Sequence, residues 1–266
     1  MHPLAWIHRS EARAIAGELR ASGLDAGTVP WRGAESLGAG RLLLRLSDPV
    51  MLSATAALDA AGIAYCGPGA VALSRCYDKW SAYQAATAAG IDCPATYIGD
   101  SMAGMRGPLV LKPRQGSDSL GLRLVKAGDV PSRFRDGRMI GQPLILGTEL
   151  TVGVLGTTAG APLRLHLPEG TPYTFLRKYL LRPERSAVTD PELARRVVSV
   201  ALETAAALGV AWAARVDFML ERATGRLLLL ECDAAPLVGP GSAFEMSLSA
   251  GGVPRAVQFA RLLGEA

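Results

Sequence analysis

Apolar positions recur along this chain in two alternating periods. Residues 4–7 (LAWI) read as a short strand, and 10–22 follow with apolar side chains every three to four positions, the spacing of an amphipathic helix. RLLLRL (41–46) predicts a second strand, 48–61 a second helix, and IAYC (63–66) a further short strand ahead of the GPG turn at 67–69. Residues 74–90 read as one helix, stopped by Gly90 and the Pro94 break. From 108 to 157 the period shortens to that of strands, in PLVLKP, LGLRLVK and PLILGTELTVGVLG. Residues 182–189 look like loop and 191–208 like a long amphipathic helix. AWAARVDFML and GRLLLLECD then read as paired strands, and 253–263 as a closing helix. This order predicts an α/β chain whose lobes have α+β character.

The strand pair carries an electrostatic conflict. Its connection, ERATGR, accommodates a three-residue loop of Ala223, Thr224 and Gly225, with glycine where a positive φ is needed. In that register Asp217 faces Glu231 and Arg215 faces Asp233 on one side of the sheet. Val216, Phe218, Leu228 and Leu230 take the other side. Cross-strand neighbours sit about 5 Å apart, so opposed carboxylates without a cation destabilise the pair. A divalent ion resolves the conflict, and oxygen ligands with positions left for water and phosphate suit Mg²⁺. An acidic strand face neutralised by Arg215 is the plainer alternative.

Composition narrows the classes. At 266 residues and 49% hydrophobic content the chain can bury a sizeable core, and its 28 Lys+Arg against 24 Asp+Glu leave a net +4 spread without basic clusters. Nucleic acid is therefore not an expected partner. No apolar window approaches the roughly 18 residues of a membrane span, so a soluble cytoplasmic protein is expected. Cys66, Cys76, Cys93 and Cys232 are far apart, and His2, His8 and His166 have no ligand spacing, so reduced structural thiols are expected and a zinc site is not. GPGAVA (67–72) fits a dinucleotide fingerprint but lacks the acid that should follow it, so a plain turn is the better reading. KPRQGSDSLG (112–121) places a lysine at the mouth of a glycine- and serine-bearing loop, which suits phosphate or a solvated hairpin, and is not a Walker loop.

Several motifs then agree. AWAARVDFML, LLLLECDAAP and GSAFEMSLSAGG resemble the carboxyl-terminal part of D-alanine–D-alanine ligases of the ATP-grasp superfamily. VLKPRQGSDSLG, GTELTVGVLG, YTFLRKYL and YDKW continue the resemblance upstream in the family's order, over roughly residues 65–266. The amino-terminal part lacks the family's HGxxGEDG stretch and looks more like the start of glutamate-adding and lysine-biosynthetic ATP-grasp ligases. The resemblance implies an ATP-grasp fold with a shortened amino-terminal α/β lobe over 1–75, a central ATP lobe over 76–147 and a carboxyl-terminal lobe with the metal site over 148–266.

It also implies roles for single residues. Lys79 and Lys112 match lysines that hold ATP phosphates, Glu149 the acid that binds the ribose, and Lys178 a lysine near the γ-phosphate, with Tyr179 beside it over the acceptor site. Arg215 matches the arginine that steadies the tetrahedral oxyanion, Asp217, Glu231 and Asp233 the metal ligands, and Ser242 the serine that receives a substrate carboxylate. Ser117 and Ser119 are the loop hydroxyls for phosphate, Gln142 and Leu144 the hinge contacts for adenine, and Glu11 a weak match to the acid for the donor's amino group. Two departures stand out: Asp233 replaces the usual asparagine, and Pro143 offers no N–H at the hinge.

These residues lead to an ATP-dependent carboxylate–amine ligase working through an acyl phosphate, with ATP and Mg²⁺, as a pair of ions, for cofactors and Mn²⁺ an allowed substitute. Its substrates are expected to be a small amino acid or carboxylate and an amine, its product a dipeptide or small amide of specialised metabolism, and a homodimer is an allowed assembly. A ligase that extends a peptide or carrier protein, and a nucleotide-binding module without turnover, are the alternatives.

Overall fold

The computed structural model describes residues 5–37, 40–116, 121–125, 130–166 and 184–264. Two antiparallel sheets organise the chain. The smaller has the order β1 (Tyr97–Ile98), β4 (Met139–Pro143), β2 (Leu109–Pro113), β3 (Arg123–Val125). The larger runs β10 (Leu227–Asp233), β9 (Ala213–Glu221), β5 (Gly147–Leu155), β7 (Leu163–Leu165), β8 (Arg185–Ala187), with β6 (Thr158–Ala159) also on β5. The chain therefore has a mixed build of helices and antiparallel sheets.

β5 is buried on both faces from Leu150 to Leu155. Leu150, Val152 and Val154 pack with Val216 and Phe218 of β9 under α5 (Pro191–Leu208) and α2 (Asp48–Ala61), in the main core. Leu155 turns the other way, into a second core with Phe244 and Leu248 of α6 (Ala243–Ala250), Phe259 and Leu262 of α7 (Arg255–Leu262), and Ile15 and Leu19 of α1 (Ala5–Ala21). A third cluster, Met102, Leu109, Leu111 and Val130, underlies the small sheet.

Where local signals are strong, expectation and structure coincide. α2 and α5 span the expected residues because proline opens each, and Gly62 and Gly209 close them with φ of 66° and 75°. Five expectations need correction. LAWI is not a strand: residues 5–7 open α1, since Ile7 is the first member of the buried series Ile7, Ile15, Leu19, whose spacing is helical. RLLLRL and IAYC form only a single parallel bridge, Leu43 with Cys66. The helix expected over 74–90 is two, α3 (Ala70–Tyr77) and α4 (Lys79–Ala88), because Asp78 leaves helical geometry to cap α4. Residues 185–187, expected in loop, form the edge strand β8, and β4 occupies 139–143, so that of PLIL only Pro143 is in a strand and 144–146 connect the sheets.

Candidate active site

The β9–β10 hairpin sets the geometry. Glu231 is paired with Asp217 and Asp233 with Arg215, as the loop reading requires, and Gly225 has φ 69°. The route to that register differs, because the connection is 222–225, closed by the Glu221 N–H on the Arg226 carbonyl, one residue longer than the expected loop of Ala223, Thr224 and Gly225. Near the turn Leu227 pairs with Leu220 and Leu229 with Phe218, one step out of the expected phase, and a bulge between Leu229 and Glu231 restores it. Leu227 and Leu229, not Leu228 and Leu230, therefore join Val216 and Phe218 in the core. The extra residue re-aims β10 so that Glu231 and Asp233 still reach the site face.

On that face Arg215 spans the acids. Its Nε donates to both oxygens of Asp217, at 3.1 and 3.0 Å, and its Nη1 lies 3.3 Å from Asp233. Thr151 on β5, directly across from Asp217, donates its hydroxyl at 2.6 Å. Glu231 has another partner, the Lys79 ammonium at 3.8 Å. Among the described residues no group of three His, Cys, Asp or Glu side chains converges enough to hold an ion by itself.

Lys79 begins α4, and its ammonium donates to the Gly116 carbonyl at the edge of the glycine-bearing loop. Lys112, next to last in β2, lies beside it. Burial pulls the Lys112 ammonium below its ordinary value, Glu231 opposes that shift, and Lys79 adds to it. Lys79, Lys112, Gln142 and Glu231 border one cavity together with Leu229 and Cys93. Gln142 is buried on β4 and donates to the Thr96 hydroxyl at 2.9 Å. The Leu144 N–H is used by the Pro108 carbonyl at 2.9 Å. Glu149 lies on β5 opposite Met219, close enough to Lys112 to act on its charge. Ser117, Ser119, Lys178 and Tyr179 lie outside the described residues.

A second cavity, about 350 Å³, is bordered by Glu11, Arg215, Asp217 and Ser242. Ser242 caps α6 by accepting the Glu245 N–H at 3.1 Å, which leaves its own hydroxyl hydrogen to donate. Glu11 is buried and held. It accepts from Arg45 Nε and Nη2 at 2.8 and 2.7 Å, and from the N–H groups of Val238 and Gly239 at 2.5 and 2.9 Å. Arg45 in turn donates to the Pro236 carbonyl at 2.7 Å. Sequence reasoning passed over Arg45, Thr151, Arg114 and Asp78. Arg45 did leave a signal, as the single charge inside the apolar run LLLRL, where a buried partner must follow.

The hairpin thus joins two clefts: Glu231 borders the lysine-lined one, and Asp217 with Arg215 borders the other. Residues 76–232 match the ATP-grasp domain family. The chain is 30% identical over 229 residues to a D-alanine–D-alanine ligase of Bordetella petrii, covering 79% of this chain and 70% of that protein. It is 31% identical over 223 residues to one of Nitratidesulfovibrio vulgaris, covering 78% and 73%. In structure it resembles the D-alanine–D-alanine ligase of Bacillus anthracis, with a TM-score of 0.76, 20% identity, and coverage of 96% of this chain and 92% of that one.

Proposed function

The chain belongs to the D-alanine–D-alanine ligase family of ATP-grasp proteins, and we propose on that footing that it joins two small substrates, a carboxylate and an amine, in an amide of specialised metabolism. As a member it is an ATP-dependent ligase that forms a C–N bond. The observation that carries the reading is the opposition of Asp217 and Glu231 beside Arg215, at the junction of a lysine-lined cleft and a substrate-sized cavity.

A carboxylate and an amine do not condense in neutral water. Transfer of the γ-phosphoryl group to a carboxylate oxygen gives an acyl phosphate and ADP; attack of the amine then forms the amide and expels phosphate. Such transfers ask the protein mainly for positioning and neutralisation of charge. Lys79 and Lys112 would hold phosphate oxygens, with Ser117, Ser119 and Lys178 as further contacts. Glu149 would take the ribose hydroxyls. Gln142, steadied by Thr96, would present its amide oxygen to the adenine amino group, with Leu144 packing beside the base. Arg215 would stabilise the oxyanion of the tetrahedral intermediate, a role worth a few kcal/mol when the donor is preorganised. Ser242 and Tyr179 would hold the substrate in the second cavity.

The acidic residues fit a magnesium site. Mg²⁺ is ordinarily held by one or two carboxylates together with substrate phosphates and water, not by a complete protein cage. Opposed carboxylates at 217 and 231, with Asp233 next along, offer such an incomplete set, which agrees with the lack of a three-ligand cluster among the described residues. When bound there, the metal would supply charge neutralisation at the transferred phosphoryl group. Division of labour would follow the stretches 1–75, 76–147 and 148–266, for donor binding, nucleotide binding and metal-bearing chemistry.

Measurement of ADP release over a matrix of amino acids with Mg²⁺, repeated with Glu231→Gln, tests this function. Amino-acid-dependent release is expected, falling roughly 100-fold or more in the variant as several kcal/mol of charge stabilisation are withdrawn. An unchanged rate in Glu231→Gln would remove the metal assignment, and no release with any pair would remove the ligase.

A further inference from the structure

Glu11 borders the second cavity, yet its carboxylate is fully used by the protein. Its Oε1 accepts the N–H groups of Val238 and Gly239, and its Oε2 accepts Nε and Nη2 of Arg45. A carboxylate offers about four acceptor sites, and these four donors fill them. A substrate ammonium would have to displace one of them. Glu11 and Arg45 are both buried, so each charge depends on the other. Arg45 is not among the described residues that border the cavity.

The pair holds the loop between β10 and α6, residues 234–242. Arg45 Nη2 donates to the Pro236 carbonyl as well as to Glu11. The Val238 carbonyl accepts Nη1 of Arg255 at 2.9 Å, and Nη2 of the same arginine donates to Glu18 of α1 at 2.7 Å. α1 thus clasps the loop twice, directly through Glu11 and by way of Arg255. Glycine at 239 permits the close approach, since a Cβ there would lie 2.9 Å from Glu11 Cγ. From Gly239 the connection continues to the cavity: its carbonyl accepts the Ser242 N–H at 3.2 Å, and Ser242 borders the cavity with a hydroxyl hydrogen to donate. Displacing such a contact by about 1 Å costs up to roughly 100-fold, so a clasp on the loop bears on substrate fit.

We propose that Glu11 and Arg45 are positioning residues: through Val238 and Gly239 they set the Ser242 hydroxyl against the substrate carboxylate, and Glu11 itself makes no contact with the substrate's amino group. This role rests on the ligase function proposed above. The test uses the full chain with Arg45→Gln, Arg45→Lys and Glu11→Gln, read in two ways. Hydrogen exchange compares the amides of 236–242 with those of β5 and β9, which report the fold. ADP release with Mg²⁺ gives KM for ATP, for the most active amino acid, and for the carboxylic acid that lacks its α-amino group, or Ki where that acid only inhibits. In Arg45→Gln, exchange across 236–242 should rise tenfold or more while β5 and β9 stay within twofold. KM for the amino acid should rise tenfold or more, with KM for ATP unchanged. Arg45→Lys keeps the charge but cannot span Glu11 and Pro236 with a fork, so it should recover part of both changes, and it decides alone if Arg45→Gln loses its fold. Glu11→Gln should weaken the amino acid and its des-amino counterpart by the same factor. A KM for the amino acid that stays native in the Arg45 variants, native exchange at 236–242 in them, or a loss in Glu11→Gln confined to the compound bearing the amino group, overturns the proposal. No ADP release with any pair would overturn the ligase function, and faster exchange confined to 236–242 would then leave the clasp standing.

Discussion

Arg114 fastens the strand end of the lysine-bearing loop to the helix that carries the other lysine, through Asp78. Its Nε donates to both oxygens of Asp78, at 2.9 and 2.8 Å, and its Nη2 approaches within 2.7 Å. The same carboxylate caps α4, accepting from Trp80 and Ser81 at 3.0 and 3.1 Å, while the Lys79 N–H bonds the Arg114 carbonyl at 2.8 Å. One side chain therefore fixes where α4 starts and how Lys79 and Lys112 face each other.

Replacing that carboxylate separates its two jobs. Asp78→Ala should lose about 1 kcal/mol from the missing cap, and somewhat more from the partly exposed ion pair. Asp78→Asn keeps a good cap and loses only the charge. Burial alone would raise the Asp78 carboxyl, but Arg114 and the N–H groups of Ser81 and Trp80 overcome that and hold it below its ordinary value of 3.8. A depressed carboxylate stabilises the fold above the unfolded value, and that stability is lost as pH falls through the lower folded value. Urea unfolding from about pH 5 downward should thus show a stability gap between the native chain and Asp78→Asn that closes only below the ordinary carboxylate value. A gap independent of pH would show that Asp78 acts by shape alone.

The bulge in β10 predicts a second outcome. Deleting Leu230 removes the extra residue between Leu229 and Glu231. Leu229 then precedes Glu231 directly, opposite the adjacent residues Phe218 and Asp217, so the pairing near Gly225 and that of Glu231 with Asp217 both persist without a bulge. Only the local bend of β10 is lost. ADP release should therefore fall less than in Glu231→Gln, and stability should change by no more than about 1 kcal/mol, since no core leucine is displaced. A loss of activity as large as in Glu231→Gln would mean that the bend, and not the pairing alone, places Glu231.

How much of this was legible in the sequence follows from the range of each signal. α2 and α5 were readable because proline, the capping residues and glycine lie within the element. The juxtaposition of Asp217 and Glu231 was read from a three-residue loop that the chain does not form; the pairing holds because the bulge at Leu230 offsets the one extra residue in the connection. The break at Asp78 was not read from 74–90: Asp is a favoured N-cap, but the apolar spacing runs on through it, and the Arg114 that holds it is 36 residues away. Likewise Glu11 and Ser242 could be suspected, but only the fold shows that Glu11 is held by Arg45 and the backbone of Val238 and Gly239. β8 escaped because a three-residue edge strand has too few positions for a period.

Arg215 has a structural duty as well as the proposed chemical one, and the two are separable by metal. It faces Asp217 at 3.0 Å and Asp233 at 3.3 Å, so Arg215→Met leaves the acids of the hairpin short of a cation. Loss of an oxyanion donor costs about 100- to 1,000-fold in kcat. The uncompensated acids should also make the fold depend more on added cation. Mg²⁺ should therefore raise the melting temperature of Arg215→Met by more than that of the native chain, because an ion bound only in the folded state stabilises it. Equal Mg²⁺ shifts in both proteins would argue against a metal at these residues.

Gly153 carries the last prediction, since it sets how closely α6 approaches β5. Its N–H bonds the Ser247 hydroxyl at 2.9 Å, and that hydroxyl donates to the Ala161 carbonyl at 2.7 Å. A Cβ at 153 would lie 2.7 Å from the Phe244 carbonyl oxygen and 3.2 Å from its Cα, so Gly153→Ala must push α6 away from the sheet. Overpacking of this kind costs about 1–3 kcal/mol. Because α6 begins beside Ser242 and Phe244 on the cavity wall, the displacement should also raise KM for the amino acid substrate while ATP affinity holds. Ser247→Ala supplies the comparison: it strands the Gly153 N–H at a cost of about 1–3 kcal/mol but adds no bulk. If the two variants lose similar stability, only Gly153→Ala should move KM by several-fold. Equal KM changes would mean that the hydroxyl bridge, and not the space at Gly153, holds α6 against the cavity.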